Sequence, residues 1–310
     1  MRFSKLHGAG NDYVVVDARN SDMDWPMVAR AVCHRHFGVG SDGLILVLPS
    51  QRAEVRMRIF NPDGSEAEMC GNGIRCLAKF VLERGIVPSA QKALRVETLA
   101  GVRTVEPFWH NGKVVRARVS MGAPILAAEA VPVDPSQRLV PVGQRAATLY
   151  GSTPRGTGYS SPPPDMAFDW PLVLEGRAFT FTAVSMGNPH AITFLDEPVE
   201  TFPLHRYGPL AEHHPLFPRR VNWEVVNVRD RKRLQVRVWE RGAGETLACG
   251  TGACAVAVAA RLHGYVDDTV DINLPGGVLT VHWDGAGEVI LEGPVEEVFE
   301  GQWLRPWGEG

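Results

Sequence analysis

The chain has 310 residues, 45% of them hydrophobic, which is enough to bury one large core or two of ordinary size. Its 32 basic and 35 acidic residues are well mixed and leave a formal net charge of −3. This balance argues against a nucleic-acid or anionic membrane surface, so we expect a small-molecule partner. Neither a signal peptide nor a run of roughly 20 apolar residues is apparent, so a cytoplasmic location is expected.

The first predicted elements lead to a cysteine. Gly10-Asn11 precedes a β-like run over residues 13–17, and a second run over residues 58–60 closes at Asn61. Nine residues after Asn61 comes Cys70-Gly71-Asn72-Gly73, which opens a helix-like run over residues 74–84. That run ends at Gly85, a residue type that suits a helix C-cap.

The middle of the chain contains further short β-like runs, at residues 114–121, 191–195, 221–228 and 234–239. Residues 131–171 between them are rich in Pro, Gly and Ser, and we interpret them as a surface excursion that does not pack. Residues 288–299 predict two more strands, broken at Gly293-Pro294, which could belong to either half.

The second half repeats the order of the first. Gly187-Asn188 precedes a β-like run, a later run closes at Glu240, and Cys249-Gly250-Thr251-Gly252 opens a helix-like run that ends at Gly264. The asparagine-to-cysteine separations are 59 and 61 residues, so a duplicated half-molecule is the economical explanation. We predict two similar α/β (α+β) domains, the first over residues 1–122 with a strand from 296–310, the second over residues 123–295.

Cysteines in this setting can act as acid and base. At a helix start, unpaired N–H groups and the helix dipole favour thiolate over thiol, and the same N–H groups can hold a substrate carboxylate. Two such motifs related by a pseudo-twofold would direct two sulfurs at one cleft, where one takes a proton and the other returns one. Stereoinversion with a bell-shaped pH profile is the predicted outcome.

Two simpler interpretations of the cysteines stay open. Cys70 and Cys249 could be small buried hydrophobic residues, which is the interpretation we adopt for Cys76 and Cys254 on the helix bodies. A four-cysteine zinc site is disfavoured because the C-x5-C and C-x4-C spacings would splay the sulfurs around a helix. If Cys70 and Cys249 face one cleft, they could also oxidise to a disulfide.

Five ordered motifs resemble the diaminopimelate epimerase family: residues 5–12 (KLHGAGND), 60–66 (FNPDGSE), 69–76 (MCGNGIRC), 185–190 (SMGNPH) and 240–252 (ERGAGETLACGTG). The resemblance covers nearly the whole chain. It implies interconversion of LL- and meso-diaminopimelate without metal or pyridoxal phosphate, in lysine and peptidoglycan precursor biosynthesis. It also implies sheets that are mixed, largely antiparallel and curled around a central helix, and a homodimer.

By this likeness, Cys70 and Cys249 would be the two bases and His190 and Glu240 would support them. The implied substrate contacts are Asn11, Asn61, Gly71, Asn72, Asn188, Asn222, Glu240, Arg241, Gly250 and Thr251. An arginine can bind a distal carboxylate bidentately, and asparagines supply neutral donors and acceptors. The sequence departs from the family where glycine (Gly43) replaces a glutamine, in the length of the 131–171 excursion, and at Phe299, where a dimer-interface tyrosine is common.

Three alternatives remain. Proline and hydroxyproline racemases also use two cysteines, but they usually have histidine where this chain has Asn72, and a proline-sized substrate would leave polar groups unpaired at about 1–3 kcal/mol each. A non-catalytic binding protein could retain the cleft. A pyridoxal-phosphate racemase is disfavoured because no lysine lies in a recognisable cofactor setting.

Overall fold

The computed structural model describes residues 1–88, 92–138 and 163–304. No helix in these ranges is long and apolar enough to cross a membrane. In chain order the strands and helices are β1 (Arg2–Gly8), β2 (Asn11–Asp17), α1 (Trp25–Cys33), β3 (Gly43–Leu48), β4 (Val55–Phe60), β5 (Glu66–Ala67), α2 (Gly71–Glu83), β6 (Leu94–Thr98), β7 (Gly101–His110), β8 (Lys113–Ser120), β9 (Trp170–Leu174), β10 (Arg177–Ser185), β11 (Pro189–Phe194), α3 (Leu204–Glu212), β12 (Asn222–Asp230), β13 (Arg233–Glu240), β14 (Gly244–Thr246), α4 (Gly250–Leu262), β15 (Thr269–Leu274), β16 (Gly277–His282), β17 (Ile290–Pro294) and β18 (Glu296–Gln302).

The chain divides into two compact units. The first contains residues 1–121 and 276–279 and the chain from Ile290 onward, and the second contains residues 122–275 and 280–289. Residues 290–295, which the predicted boundaries assign to the second half, lie in the first unit because β17 pairs antiparallel with β8.

In the first unit, β1 pairs antiparallel with β2 on one side and β18 on the other. β2 runs parallel to β3, β3 antiparallel to β4, and β4 parallel to β6, after which β7 and β8 continue antiparallel. The helix α2 packs against β1, β2, β3 and β8. Its Ile74, Leu77 and Val81 are fully buried, so cutting one of them to alanine would cost about 2–5 kcal/mol.

The second unit has the same strand order and directions. β10 pairs antiparallel with β11, β11 parallel with β12, β12 antiparallel with β13, and β13 parallel with β15. Here α4 is the buried helix and packs against β10, β11, β12 and β15. The predicted fold class, with a sheet around a central helix in each half, is confirmed.

Both central helices end as the sequence predicts. Gly85 and Gly264 have φ angles of +64° and +73°, which glycine adopts without steric cost. The next residue in each case donates its N–H back into the helix, Ile86 to the Val81 carbonyl at 2.9 Å and Tyr265 to the Ala260 carbonyl at 2.9 Å. These contacts are those of a Schellman C-cap.

The interpretation of residues 131–171 as an unpacked excursion is wrong at both ends. Val131 and Val133 are buried, and Ala167 and Trp170 join them in the apolar core of the second unit. Trp170 also begins β9, which pairs with β10. Residues 139–162, with the Ser160-Ser161-Pro162 segment at the centre of the prediction, lie outside the described residues.

Candidate active site

Cys70 is the N-cap residue of α2. Its backbone is extended, with φ −140°, and its Sγ accepts a hydrogen bond from the Gly73 N–H at 3.5 Å. The thiol therefore takes the place that an N-cap oxygen usually occupies, next to the unpaired N–H groups of the first helical turn. The side chain is partly exposed.

Tyr13 and Asn11 surround this sulfur. The Tyr13 hydroxyl lies 2.9 Å from the Cys70 Sγ and also hydrogen-bonds the Asn11 Oδ1. Burial, reinforced by the charge of Cys70, raises the pKa of Tyr13 well above its ordinary value. The phenol thus keeps its single proton, which it donates to the Asn11 Oδ1 and, after rotation of the hydroxyl, can donate instead to a thiolate at Cys70.

The Asn11 amide is held from several sides. Its Nδ2 donates to the Asp42 Oδ2 at 2.7 Å, and its Oδ1 accepts from the Asn72 Nδ2 at 3.1 Å. Asp42 in turn accepts a hydrogen bond from Arg35 at 2.6 Å. Because these contacts fix the orientation of the amide, Asn11 presents a defined face toward Cys70.

Arg75 supports the first turn of α2 from inside the protein. Its guanidinium is fully buried and donates to the Gly71 carbonyl at 2.9 Å and to the Asn72 Oδ1 at 2.8 Å. It thereby fixes the backbone that follows Cys70. A Cβ at Gly71 would lie 2.9 Å from the Leu291 Cδ2, so a side chain there would require Leu291 to shift.

Asn61 lies in the turn after β4. Its backbone N–H donates to the Ser65 carbonyl at 2.8 Å, and its Nδ2 donates to the Ser65 hydroxyl at 2.9 Å. The side chain is partly exposed. The structure thus places Asn61 at the start of a tight turn, in the position that Glu240 has in the other unit.

Cys249 is the N-cap residue of α4 and repeats the geometry of Cys70. The Gly252 N–H donates to its Sγ at 3.4 Å, and the Thr251 hydroxyl lies 3.5 Å from the same atom. Burial raises the pKa of Cys249 well above its ordinary value, and the carboxylates of Glu240 and Glu224 raise it further. The Gly252 N–H lowers the pKa, as predicted for a helix start, but burial and the two carboxylates outweigh it, so Cys249 matches the thiol member of the predicted thiolate and thiol pair.

Glu240, at the end of β13, is one of these two carboxylates. It accepts a hydrogen bond from the Thr246 hydroxyl. Burial raises the pKa of Glu240, while its interaction with Cys249 acts in the opposite direction. Glu240 can therefore take a proton from the Cys249 thiol and, once protonated, return it.

His190 forms a buried chain of hydrogen bonds. Its Nδ1 lies 2.7 Å from the Glu224 Oε1, and its Nε2 lies 3.0 Å from the Asn188 Oδ1. The side chains of His190 and Glu224 are both fully buried. His190 therefore connects a carboxylate in the core to an asparagine that the family resemblance assigns to substrate binding.

Asn222 and Arg241 occupy the neighbouring strand ends. The Asn222 Nδ2 donates to the Pro189 carbonyl at 2.8 Å, and its Oδ1 accepts from the Arg241 backbone N–H at 2.9 Å. Asn222 thus holds the turn that presents Arg241. The Arg241 side chain is exposed, with one contact to the Arg219 carbonyl at 3.3 Å.

The sequence interpretation missed four residues near the two cysteines. Tyr13, Asp42 and Arg75 lie around Cys70, and Glu224 lies near Cys249. Tyr13 follows Asn11 by two residues, so an alternating strand places both on the same face. Glu224 is a charged residue inside the apolar run of residues 221–228, which was a usable signal. Arg75 and Asp42 gave no such signal, because their contacts come from packing.

Gly43, where the family often has glutamine, is explained by its neighbours. It pairs with Tyr13 across β2 and β3. A Cβ at Gly43 would lie 2.9 Å from the Phe60 carbonyl oxygen and 3.2 Å from the Tyr13 ring. The tyrosine ring therefore occupies the space that a longer side chain at this position would need.

Comparison with known proteins shows the family of the chain. The sequence profile described as diaminopimelate epimerase matches residues 3–127 and 182–298. The chain belongs to the diaminopimelate epimerase family. Two similar members are the diaminopimelate epimerases of Acetivibrio thermocellus, 45% identical over 97% of this chain and 98% of that protein, and of Moorella thermoacetica, 47% identical over the same shares.

Solved structures share the fold of the family at low sequence identity. A probable proline racemase from Agrobacterium radiobacter has a TM-score of 0.65 at 13% identity, covering 98% of this chain and 92% of its own. A predicted epimerase from Pseudomonas aeruginosa has a TM-score of 0.65 at 17% identity, covering 98% and 99%. These likenesses support the architecture alone. Among the described residues, no group of three or more His, Cys, Asp or Glu side chains could hold a metal ion.

Proposed function

We propose that this protein interconverts LL- and meso-2,6-diaminopimelate by a two-base thiol mechanism, without metal or pyridoxal phosphate. The observation that supports it most strongly is the pair of N-cap cysteines, Cys70 and Cys249, at equivalent positions of two repeated units but in unequal surroundings. One sulfur has a neutral phenol beside it, and the other has two carboxylates. A stereoinverting pair needs this inequality, because one thiol must begin as base and the other as acid.

The reaction then follows from the two surroundings. The thiolate of Cys70, hydrogen-bonded by Tyr13, takes the α-proton, so that the C–H bond breaks and an S–H bond forms. The thiol of Cys249 gives its proton to the opposite face of the carbon and becomes a thiolate. Backbone N–H groups of Gly71-Asn72 and Gly250-Thr251 at the two helix starts hold the α-carboxylate as its electron density rises.

The remaining polar side chains are proposed to recognise the second amino-acid head of the substrate. Arg241 has an exposed guanidinium, which suits bidentate binding of the distal carboxylate. Asparagine amides and one carboxylate supply the other donors and acceptors, namely Asn11, Asn61, Asn188, Asn222 and Glu240. A substrate without the distal head would not engage the Arg241 guanidinium, so it should bind less tightly.

The test is proton NMR of LL-diaminopimelate in deuterated buffer with reduced enzyme, and L-proline in a parallel tube. Loss of the α-proton signal from diaminopimelate alone, with appearance of the meso isomer, is the expected result. Loss from proline alone would keep the two-thiol chemistry and overturn the substrate. Absence of exchange in both tubes would refute the proposed activity.

We also propose a homodimer and a cytoplasmic location. β18 pairs with β1 and carries the exposed side chains of Val298 and Phe299, of which Phe299 contacts Phe3 edge-on at 6.1 Å. Light scattering after size exclusion would report about twice the monomer mass. If a Phe299→Glu variant stays dimeric, β18 is not part of the dimer interface.

A further inference from the structure

Glu224 is a buried carboxylate to which the mechanism above assigns no proton transfer and no substrate contact. It lies on β12, where Trp223 and Val225 on the opposite face belong to the apolar core of the second unit. Its side chain is fully buried, and its Oε2 has no hydrogen-bond partner among the described residues. An incompletely paired carboxylate inside a protein is costly to keep, so a functional reason for it is expected.

The carboxylate borders the first turn of α4. A Cβ built on Gly252 would lie 2.6 Å from the Glu224 Oε1 and 3.3 Å from the Cys249 Sγ. Both atoms therefore adjoin one point on the helix. The Gly252 N–H that donates to the sulfur starts from this same residue.

The first unit has an apolar residue at the equivalent place. A Cβ on Gly73 would lie 3.0 Å from the Ile45 Cδ1. Ile45 follows Gly43, the partner of Tyr13, by two residues, just as Glu224 follows Asn222, the partner of His190. The repeat thus has a methyl group beside one catalytic helix start and a carboxylate beside the other.

The titratable groups around Glu224 come from three elements. His190 on β11 hydrogen-bonds its Oε1, Glu240 lies at the end of β13, and Cys249 caps α4. The negative charges of Glu224 and Glu240 both oppose a thiolate at Cys249. His190 bridges Glu224 to Asn188, with its Nδ1 at the Glu224 Oε1 and its Nε2 at the Asn188 Oδ1.

We propose that Glu224 is a positioning residue that keeps Cys249 in the thiol form, so that this cysteine rests as the acid of the pair. The part assigned to it in catalysis rests on the proposed function. The ionisation of Cys249 does not, since it can be measured without turnover.

The experiment measures the rate of alkylation of Cys249 by iodoacetamide from pH 6 to 11, resolved by peptide mass spectrometry. In the wild type the midpoint should lie above the ordinary thiol value of ~8.5. Glu224→Gln keeps the shape and the hydrogen-bond acceptor but removes the charge, and it should lower the midpoint by about one pH unit. The alkaline limb of the kcat/KM profile should move in the same direction.

Two further variants separate charge from structure. Glu224→Asp keeps the charge, so its Cys249 midpoint should stay close to wild type even if the rate falls. Glu83→Gln is the matched control, because Glu83 is a buried carboxylate of the first unit that pairs with Lys79 and Lys113. That variant should leave the Cys249 midpoint unchanged.

An unchanged midpoint in folded Glu224→Gln protein would overturn the proposal. If that variant does not fold, the wild type decides, since a midpoint at or below ~8.5 would also overturn it. A shifted midpoint in a protein that shows no epimerisation would support the assignment of Glu224 while refuting the proposed function. An unshifted midpoint in a protein whose wild type is an active epimerase would refute the assignment of Glu224 and leave the proposed function standing.

Discussion

Gly252→Ala is a small change in the first turn of α4, next to both Glu224 and Cys249. The added Cβ would lie 2.6 Å from the Glu224 Oε1, 3.2 Å from the Cys249 Cβ and 3.3 Å from its Sγ. The carboxylate cannot easily withdraw, because it is fully buried and its Oε1 is held 2.7 Å from the His190 Nδ1. Either the carboxylate or the thiol must therefore shift.

Stability and activity should respond differently. Overpacking costs about 1–3 kcal/mol, whereas alanine is favoured over glycine within a helix by about 1 kcal/mol, so the net loss of stability should be below about 2 kcal/mol. A displacement approaching 1 Å at a reacting group can cost about 100-fold in rate. We therefore expect kcat/KM to fall by about 100-fold in a protein that still folds.

Gly73→Ala is the matched variant in the first unit. Its Cβ would meet the terminal methyl groups of Ile45 at 3.0 Å and Ile59 at 3.4 Å, which can rotate aside. Its loss in kcat/KM should stay within about tenfold. Initial rates on LL-diaminopimelate and urea unfolding of both variants provide the comparison. Equal losses in the two variants, or a Gly252→Ala enzyme as active as wild type, would refute the reasoning.

Three other predictions follow from the geometry. Tyr13→Phe removes the hydroxyl that lies 2.9 Å from the Cys70 Sγ. Because a hydrogen bond to a charged group is worth about 1.5–3 kcal/mol, kcat/KM should fall by about 10- to 100-fold. An unchanged kcat/KM would show that the phenol does not stabilise the thiolate. Arg75→Lys cannot reproduce the contacts to Gly71 and Asn72, so both the melting temperature and kcat/KM should decrease, and a variant that loses neither would contradict the support assigned to Arg75. Burial raises the pKa of Cys33 to about 11 and that of Cys76 to about 12. Because these thiols ionise near ~8.5 in the unfolded chain but stay protonated in the folded one, the free energy of unfolding should fall above that pH by up to about 1.4 kcal/mol per pH unit per thiol. Urea titrations of a Cys33→Ala, Cys76→Ala double variant at increasing pH should show a shallower decline than the wild type.

Much of the fold could be predicted because the sequence contains two copies of the same series of motifs. The Cys-Gly-x-Gly motifs and the glycines at 85 and 264 define helix starts and helix ends, and the asparagine-to-cysteine separations of 59 and 61 residues define a repeat, all without reference to packing. Local rules for caps are sufficient there. The short β-like runs at residues 114–121, 191–195, 221–228 and 234–239 correspond to β8, β11, β12 and β13. Local composition was sufficient for these strands as well.

The environment of each sulfur could not be derived in this way. The helix start alone favours a thiolate at both cysteines, yet burial and the carboxylates of Glu240 and Glu224 reverse this at Cys249. Those carboxylates come from β12 and β13, which lie 25 and 9 residues upstream of the cysteine in sequence. Their approach depends on strand register and on the glycine at position 252, which are tertiary features.

The most direct test of the central claim is the isotope content of both isomers early in the reaction of LL-diaminopimelate in deuterated buffer. The two-thiol account predicts deuterium at the inverted α-carbon of the meso product, while recovered LL substrate stays protiated, because the accepting and donating sulfurs are different. A product that retains the substrate's own proton, or LL substrate labelled as fast as product forms, would show a single exchanging base and contradict the account.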